Sequence, residues 1–490
     1  MPPLYQYDHS QLNIDSLLAE TDRHGIEYTL DASACDAKAN TKHSPAPPNE
    51  TPLAVFLPRS TQETSIILRA CNERRIAVTS FSGGTSFGGA LTATKGGVCV
   101  SFERMQEIVA LHEDDMDVVV QPGLGWVELN EQIQDLGVFF PVDPAPGAKI
   151  GGMIAMSCSG TNAYRYGTMK ENVVSLTFVL ASGRIIKTHN RPRKSSAGYD
   201  LTHLLIGSEG TLGLVTEAVL RLSPLPQNMH VGIAAFPSFQ AGVAVVLQLQ
   251  KTGHKLEALE LADGPQMQAT NVSGLAPRQR FEEVPTLFFK IAGPSGRVVR
   301  DQIQIMERLC REHGAASLEI SRDDERMAVL WGARKCMGQA LLAMKRRPDD
   351  LFLHSDCAVP ISNLAALVEG TQRLIAEAAA ANQGDWFCAN VGHVGDGNVH
   401  SAIVCPVSDY AAAKTVLGNV ARLALRLQGT VTGEHGVGIE LRDALLEEVG
   451  GEGVEAMRAV KRAWDERGIL NPDKVFALER EEEDTVASKF

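Results

Sequence analysis

Two short stretches concentrate the groups that could do chemistry. In "GHVGDGNVH", residues 392–400, His393 and His400 flank the pair Asp396-Gly397. In "TVTGEHGVG", residues 430–438, Glu434 stands next to His435 with glycine on both sides. Asp-Gly is a turn pair, so the two histidines fall near the ends of two paired strands, where both can reach one point. Imidazoles held in this way suit a divalent transition metal. An open, catalytic type of centre wants a carboxylate beside two histidines, and Glu434 offers one. The competing reading of an isolated hairpin pair is hydrogen bonding to backbone groups. Two glycine-flanked clusters, one contributing a glutamate, favour the metal, and ligand type alone admits Zn or Mn. A third candidate is Arg334 in "LWGARKCMGQALLAMK", a two-pronged cation on a helix. Taken alone it reads as a surface ion pair; in a site it could bind a carboxylate.

A second kind of signal lies in glycine loops: "SGGTS" (82–86), "GAKIGGMIAMSCSGTNAYRYG" (147–167) and "GSEGTLG" (207–213). Consecutive glycines with Ser and Thr let backbone N–H groups converge on an anion such as a pyrophosphate. Each loop singly reads as a turn; three in one half of the chain point to a ligand. No G-x-G-x-x-G opens a strand–turn–helix unit and no Walker A sequence occurs, which argues against a Rossmann or P-loop nucleotide site.

These groups must be positioned by a chain of 490 residues, too long for one ordinary core. Hydrophobic residues make up 44% and charged residues 21%, the profile of a globular protein. The formal net charge of -13, with no long basic run, makes nucleic acid and anionic membrane surfaces poor partners. No apolar run is long enough to span a bilayer. The nine cysteines are scattered singly, which fits a reduced compartment better than a disulfide framework. Residues 1–50 form a polar extension ending in "SPAPPNE". From there to about 226, short strands alternate with glycine loops. "TPLAVFLP" is a strand, Ser60 and Glu63 stand in capping-box spacing at a helix start, and "ASGR" joins two alternating runs as a hairpin. Beyond "SPLPQN" strands interleave with longer helices, including 324–345, 361–381 and 409–428. The class is α+β, with split βαβ units over one sheet in the second part.

The motifs "FSGGTS", "PGAKIGG", "CSGTNAYRYGTMKENVVSLTFVLASG", "RPRKSSAGYDL", "GSEGTLGLVTEA", "GHVGDGNVH" and "TGEHGVG" together resemble those of FAD enzymes of the vanillyl-alcohol oxidase type. Within that type they resemble the branch of D-lactate dehydrogenases, D-2-hydroxyglutarate dehydrogenases and glycolate oxidases, chiefly the cytochrome-linked D-lactate dehydrogenases. The resemblance runs from about residue 50 to 476. It implies a two-subdomain PCMH-type FAD-binding domain at 51–226 and a cap domain with a ferredoxin-like antiparallel sheet at 227–455. A segment at 456–480 then returns to the FAD domain, and a tail follows at 481–490. It assigns Ser82, Gly83, Gly84, Thr85 and Ser86 to the pyrophosphate. Around the rest of the flavin it places Gly147, Ile150, Gly151, Gly152, Ser157, Gly160, Thr161, Gly167, Glu209, Gly210, Val215 and Asn471. It makes His393, His400 and Glu434 the ligands of a Zn or Mn ion, His435 the base, and Arg334 the carboxylate anchor. Some relatives attach FAD through a histidine in the pyrophosphate loop; "SGGTSFGG" has none, so noncovalent FAD is expected. The implied reaction is oxidation of a D-2-hydroxy acid to the 2-oxo acid. The electrons would pass to cytochrome c, a quinone, an electron-transfer flavoprotein or oxygen, and a homodimer is compatible with the resemblance.

The pattern departs from that branch at "SGGTSFGGA", where Gly88 or Gly89 and Ala90 replace acidic and histidyl positions, and at "HSDCAVP", with His354 and Cys357. An acid of lactate size or bulkier is the expected substrate. Two other classes share the fold: a non-redox enzyme similar to alkylglycerone-phosphate synthase, whose run of three histidines is absent from this sequence, and a flavin-binding protein without catalysis, against which the retained His393, His400, Glu434 and His435 argue. The ending Ser488-Lys489-Phe490 resembles the SKL peroxisomal address with one substitution. The acid-bearing N-terminus does not resemble an Arg-rich mitochondrial leader. The expected location is therefore peroxisomal or cytoplasmic.

Overall fold

A computed structural model describes residues 5–478 apart from 42, 43, 45, 48, 277 and 383. The chain divides into two compact units. One takes residues up to Gly160, Tyr166–Leu225 and those from Glu434 onward; the other takes Thr161–Arg165 and Pro226–Gly433. Each mixes helices with sheets, the α+β class that the sequence predicts.

The first unit opens with a four-stranded sheet of β1 (Tyr28–Thr29), β2 (Ala54–Phe56), β3 (Val78–Phe81) and β4 (Val98–Ser101), in the order β1-β2-β4-β3. β2, β4 and β3 run parallel, so β2 must return through a crossover, the helix Thr61–Arg74. Ala54, Val55 and Phe56 are all buried, the continuous apolar run of a covered parallel strand. The capping box read from Ser60 and Glu63 is half formed. Ser60 accepts the Glu63 N–H at 3.1 Å, but the Glu63 carboxylate takes the N–H of Arg59 at 2.8 Å. The extended backbone of Ser60 (φ -153°, ψ 163°) presents the earlier amide to it.

Seven strands follow in this unit: β5 (Ile108–His112), β6 (Asp117–Val120), β7 (Val138–Phe139), β8 (Val173–Val179), β9 (Ile185–Lys187), β10 (Leu214–Arg221) and β11 (Ser223–Pro224). Five of them make an antiparallel sheet in the order β5-β6-β10-β8-β9, while β7 pairs with β11. The "ASGR" turn joins β8 to β9 as read from the sequence. Gly183 there has φ +79°, and a Cβ on it would stand 2.7 Å from the Ser65 carbonyl oxygen, so no larger residue fits. Phe140, Phe178, Leu220 and Ile150 fill the core on one side. Each such side chain stabilises by about 1.5–3 kcal/mol on burial.

The second unit is built on a seven-stranded antiparallel sheet of β12 (His230–Ala235), β13 (Ala258–Ala262), β14 (Thr286–Ile291), β15 (Ser317–Ser321), β16 (Leu351–Ala358), β17 (Phe387–Gly392) and β18 (Asn398–Cys405). Its order is β15-β12-β14-β13-β17-β18-β16. The first four strands stand fourth-first-third-second, with helices Phe239–Thr252 and Gly296–Glu312 as the two crossovers, the ferredoxin-like split βαβ arrangement. Alternation along β14 sends Phe289 to a core shared with Val243, Met306 and Leu364, and Phe288 to the other face with Trp331 and Met337. The helix expected over 324–345 is interrupted. It runs Asp324–Lys335, pauses at Cys336 (φ -86°, ψ -4°), and resumes as the short turns Met337–Ala340 and Leu341–Met344. The flattened ψ breaks the hydrogen-bond ladder and lets Met337 turn into the core.

Candidate active site

The histidine hairpin forms between β17 and β18, which pair in antiparallel register with Val391 opposite His400. The connection is longer than a two-residue turn: His393 already lies in the loop 393–397, where its carbonyl accepts from Asp396 N–H at 2.9 Å. Gly397 closes the loop at φ +78°, with its Cβ position 2.1 Å from the Val359 carbonyl oxygen. The His393 and His400 rings stand 5.3 Å apart at 88°. Each has a carboxylate at Nδ1. Glu260 Oε1 lies 2.8 Å from His393 Nδ1, and Asp356 Oδ1 lies 3.3 Å from His400 Nδ1. The other oxygen of Glu260 accepts from Arg334 Nε at 3.0 Å and Nη2 at 2.7 Å.

Asp356 reaches this point because it pairs with His400 across β16 and β18. Its carboxylate also accepts from Asn398 Nδ2 at 2.8 Å, Thr432 Oγ1 at 2.9 Å and Gly433 N–H at 2.9 Å. Bonds to a charged acceptor are worth about 1.5–3 kcal/mol each, so this one side chain fixes the start of the "TGEHG" loop along β16. Gly433 is needed there, since a Cβ would come 2.2 Å from Asn398 Nδ2. Glu434 is the next residue in the sequence. Within the second unit, His393 and His400 therefore face each other, each backed by a carboxylate. Imidazoles with carboxylates beside them are a donor type that suits Zn or Mn.

In the first unit the three glycine loops meet. A Cβ on Gly83 would lie 2.8 Å from the Gly147 carbonyl oxygen, and one on Gly210 would lie 2.9 Å from Ser80 Oγ. Gly207 and Glu209 donate their N–H groups to Ile154 and Ala155 at 2.9 Å each. Ser157 ends the helix Ile150–Met156 in the left-handed region at φ 53°. Ser86 Oγ is buried with no hydrogen-bond partner among the described residues, a vacancy that a pyrophosphate oxygen can fill. A side-chain-free cradle with an orphaned hydroxyl fits FAD at this place.

Glu209 ties that cradle to the chain after His435. It is buried, and it accepts from Val437 N–H at 2.7 Å and Gly438 N–H at 2.9 Å. Burial pushes its carboxyl up to about 7 despite those two bonds and the nearby Lys474 charge. Burial likewise pulls Lys474 down to about 7, opposed by Asp473, Glu209 and Glu50. The Gly88 carbonyl takes the Ile439 N–H at 2.7 Å, Phe87 stacks on the His435 ring at 4.1 Å, and the Ser159 hydroxyl donates to Glu434. Gly88 and Gly89 leave no void: their Cβ positions lie 3.4 Å from the Val437 carbonyl oxygen and 3.0 Å from Ile439.

Of the residues read from the sequence as flavin contacts, Ser82, Gly83, Gly84, Thr85, Ser86, Gly147, Gly152, Ser157, Glu209 and Gly210 lie in these converging loops. Asn471 joins them, donating to the Glu209 carbonyl at 2.6 Å. Ile150 and Val215 are buried in the core beside them. Gly151 packs on Pro122, Gly160 on Asp143 and Gly167 on Glu171, while Thr161 belongs to the second unit. The sequence reading missed Glu260, Asp356, Phe87 and Lys474. An acid inside the otherwise apolar strand "ALELA" was the available signal for Glu260.

The family description FAD linked oxidases, C-terminal domain, matches residues 225–475, and that of an FAD binding domain matches 52–189. A Kluyveromyces lactis protein named D-lactate dehydrogenase (cytochrome), mitochondrial, is 42% identical over 455 residues, covering 92% of this chain and 77% of its own. An Arabidopsis thaliana protein of the same name is 40% identical over 428 residues, covering 87% and 73%. The solved structure of an alkyldihydroxyacetonephosphate synthase superposes with a TM-score of 0.74 at 17% identity, over 96% of this chain and 86% of that one, a likeness of fold alone. The mitochondrial relatives overturn the expectation of a peroxisomal or cytoplasmic location. That expectation rested on Ser488-Lys489-Phe490, which lie outside the described residues, and on the absence of a recognisable leader. A substituted tripeptide carries little information, and a leader is read from amphipathic charge rather than from a fixed motif.

Proposed function

The chain belongs to the FAD-linked oxidases that act on hydroxy acids, and we propose that its substrate is a D-2-hydroxy acid of lactate size or larger, oxidised to the 2-oxo acid with help from a divalent metal. The observation that carries this reading is the pair of facing imidazoles, His393 and His400, with ring centroids 5.3 Å apart and a carboxylate at Nδ1 of each.

FAD, held without a covalent link by the loops at 82–86, 147–167 and 207–213, would supply two-electron acceptor chemistry. A Zn or Mn ion on His393, His400 and Glu434 would supply Lewis-acid polarisation of the substrate hydroxyl. The remaining work falls to side chains. His435 takes the hydroxyl proton at Nδ1 or Nε2 at near-neutral pH. Its ring is kept in one plane by the face of Phe87, and the backbone behind it is held by Glu209 through Val437 and Gly438. Arg334 uses Nε and Nη2 on Glu260, so a substrate carboxylate would meet its Nη1 edge. Ser159 donates to one oxygen of Glu434 and so holds its carboxylate in place.

The test is anaerobic mixing of the yellow protein with a panel of D- and L-2-hydroxy acids, followed at the flavin absorbance. D-isomers should bleach it and L-isomers should not. His435→Ala should slow bleaching by about 100- to 10,000-fold while substrate still binds. Arg334→Ala should chiefly weaken binding, and Lys should rescue it only in part. Denaturation should release all flavin into solution. Reoxidation of the bleached protein by cytochrome c, a quinone analogue, an electron-transfer flavoprotein or oxygen then ranks the acceptors. Bleaching of His435→Ala at the wild-type rate, or no bleaching by any D-acid, would overturn the reading.

A further inference from the structure

Glu260 lies in the middle of β13 with apolar, buried neighbours on both sides, and is itself 1% exposed. A carboxylate so placed is tolerated only if its oxygens are paired. Each oxygen has its own partner, and both partners belong to the site described above. The backbone register explains how. Leu261 pairs with Gly392 across β13 and β17, and the next step in that antiparallel ladder sets Glu260 opposite His393. Ala258 and Ala262, two residues to either side of Glu260, face the cluster of Trp331 and Met337. The helix Asp324–Lys335 packs on that same face and brings Arg334 down in its last turn.

From this geometry we infer that Glu260 is a positioning residue that sets the carboxylate-anchoring Arg334 and the metal-facing His393 together; the inference rests on the site reading proposed above. An ionised carboxylate only accepts hydrogen bonds, so His393 Nδ1, 2.8 Å from Oε1, carries the ring proton. The neutral imidazole then presents the lone pair of Nε2 and no other. Oε2 holds Nε and Nη2 of Arg334, which fixes the guanidinium plane and the direction of its free edge. One carboxylate therefore sets a ligand atom and a substrate-binding atom through a single rigid strand. Carboxylate partners of metal-binding histidines act in this way and are worth 10- to 100-fold in metal affinity. The double hold distinguishes Glu260 from a buried ion pair that serves the fold alone, because the two functions must then fail together.

The experiment uses the FAD-loaded protein stripped of metal by chelation. Wild type, Glu260→Gln and Arg334→Lys are titrated with Zn and with Mn by calorimetry, and the KM for D-lactate is measured after metal is restored. Glu260→Gln should bind metal about 10- to 100-fold more weakly and raise KM, with unchanged flavin content. Arg334→Lys should raise KM and leave metal affinity at the wild-type value. If Glu260→Gln does not fold, Glu260→Asp keeps the charge, withdraws the oxygens and should show the same paired loss. Wild-type metal affinity in the folded Glu260 variant overturns the inference while leaving the proposed function standing. A wild-type protein that takes up neither metal overturns the metal reading and this inference with it.

Discussion

Replacing Glu209 by Gln should reverse part of the dependence of stability on pH. Burial raises this carboxyl from its ordinary value of 4.5 to about 7. The difference, 7 − 4.5, is 2.5 units, and at 1.36 kcal/mol per unit it corresponds to about 3 kcal/mol. The sign follows from proton counting. Between pH 4.5 and 7 the folded chain holds a proton that the unfolded chain has lost. The contribution is therefore fully present below 4.5 and is lost as pH rises through about 7. Lys474 runs the other way. Its value falls from 10.5 to about 7, so the folded chain lacks a proton that the unfolded chain keeps in that range, and the penalty is relieved as pH climbs. Gln at 209 is neutral throughout. It loses part of the grip on Val437 and Gly438, an offset of about 1–3 kcal/mol that does not vary with pH. On top of that offset, the variant should gain on wild type by about 3 kcal/mol between pH 4.5 and 7.5. Urea unfolding at a series of pH values and fixed FAD concentration, followed by Trp fluorescence and flavin release, gives the comparison. Wild-type and variant curves that stay parallel across that range would refute the reasoning.

Three further outcomes are expected. Gly438→Ala places a Cβ 2.1 Å from the Gly88 carbonyl oxygen at a position with φ +55°, so the contact between the two loops must open; flavin content and melting temperature should both fall, and a fully flavinated protein with the wild-type melting point would contradict it. Asp356→Ala strands the donors of Asn398, Thr432 and Gly433, at a cost of several kcal/mol. Protease should then cut within 430–438 faster than in wild type, and equal cutting rates would count against Asp356 as the anchor of that loop. Chelation should abolish turnover while the flavin spectrum remains, with Zn or Mn restoring it; full activity in a verified metal-free preparation argues against a metal role.

What the sequence could convey about this molecule depended on whether a signal was local. The alternation of strands and helices after residue 226 carried the ferredoxin-like order, since β12 to β15 are joined by helices of ordinary length. Glycine loops were legible because φ > 0 and close approach both select glycine, as at Gly83 and Gly210. The ring distance between His393 and His400 follows from eight residues of hairpin. Glu260 and Asp356 were not legible in the same way. Each meets its histidine only through strand register, β13 against β17 and β16 against β18, and register between strands more than forty residues apart has no local signature. The one trace Glu260 leaves is an energetic inconsistency, an acid where the pattern asks for an apolar side chain. Such an inconsistency persists only when partners elsewhere satisfy it, so the position of the misfit tells where a polar network must assemble, though not with whom. In β13 that misfit is one residue, and it holds both the arginine and the histidine that the reaction would need.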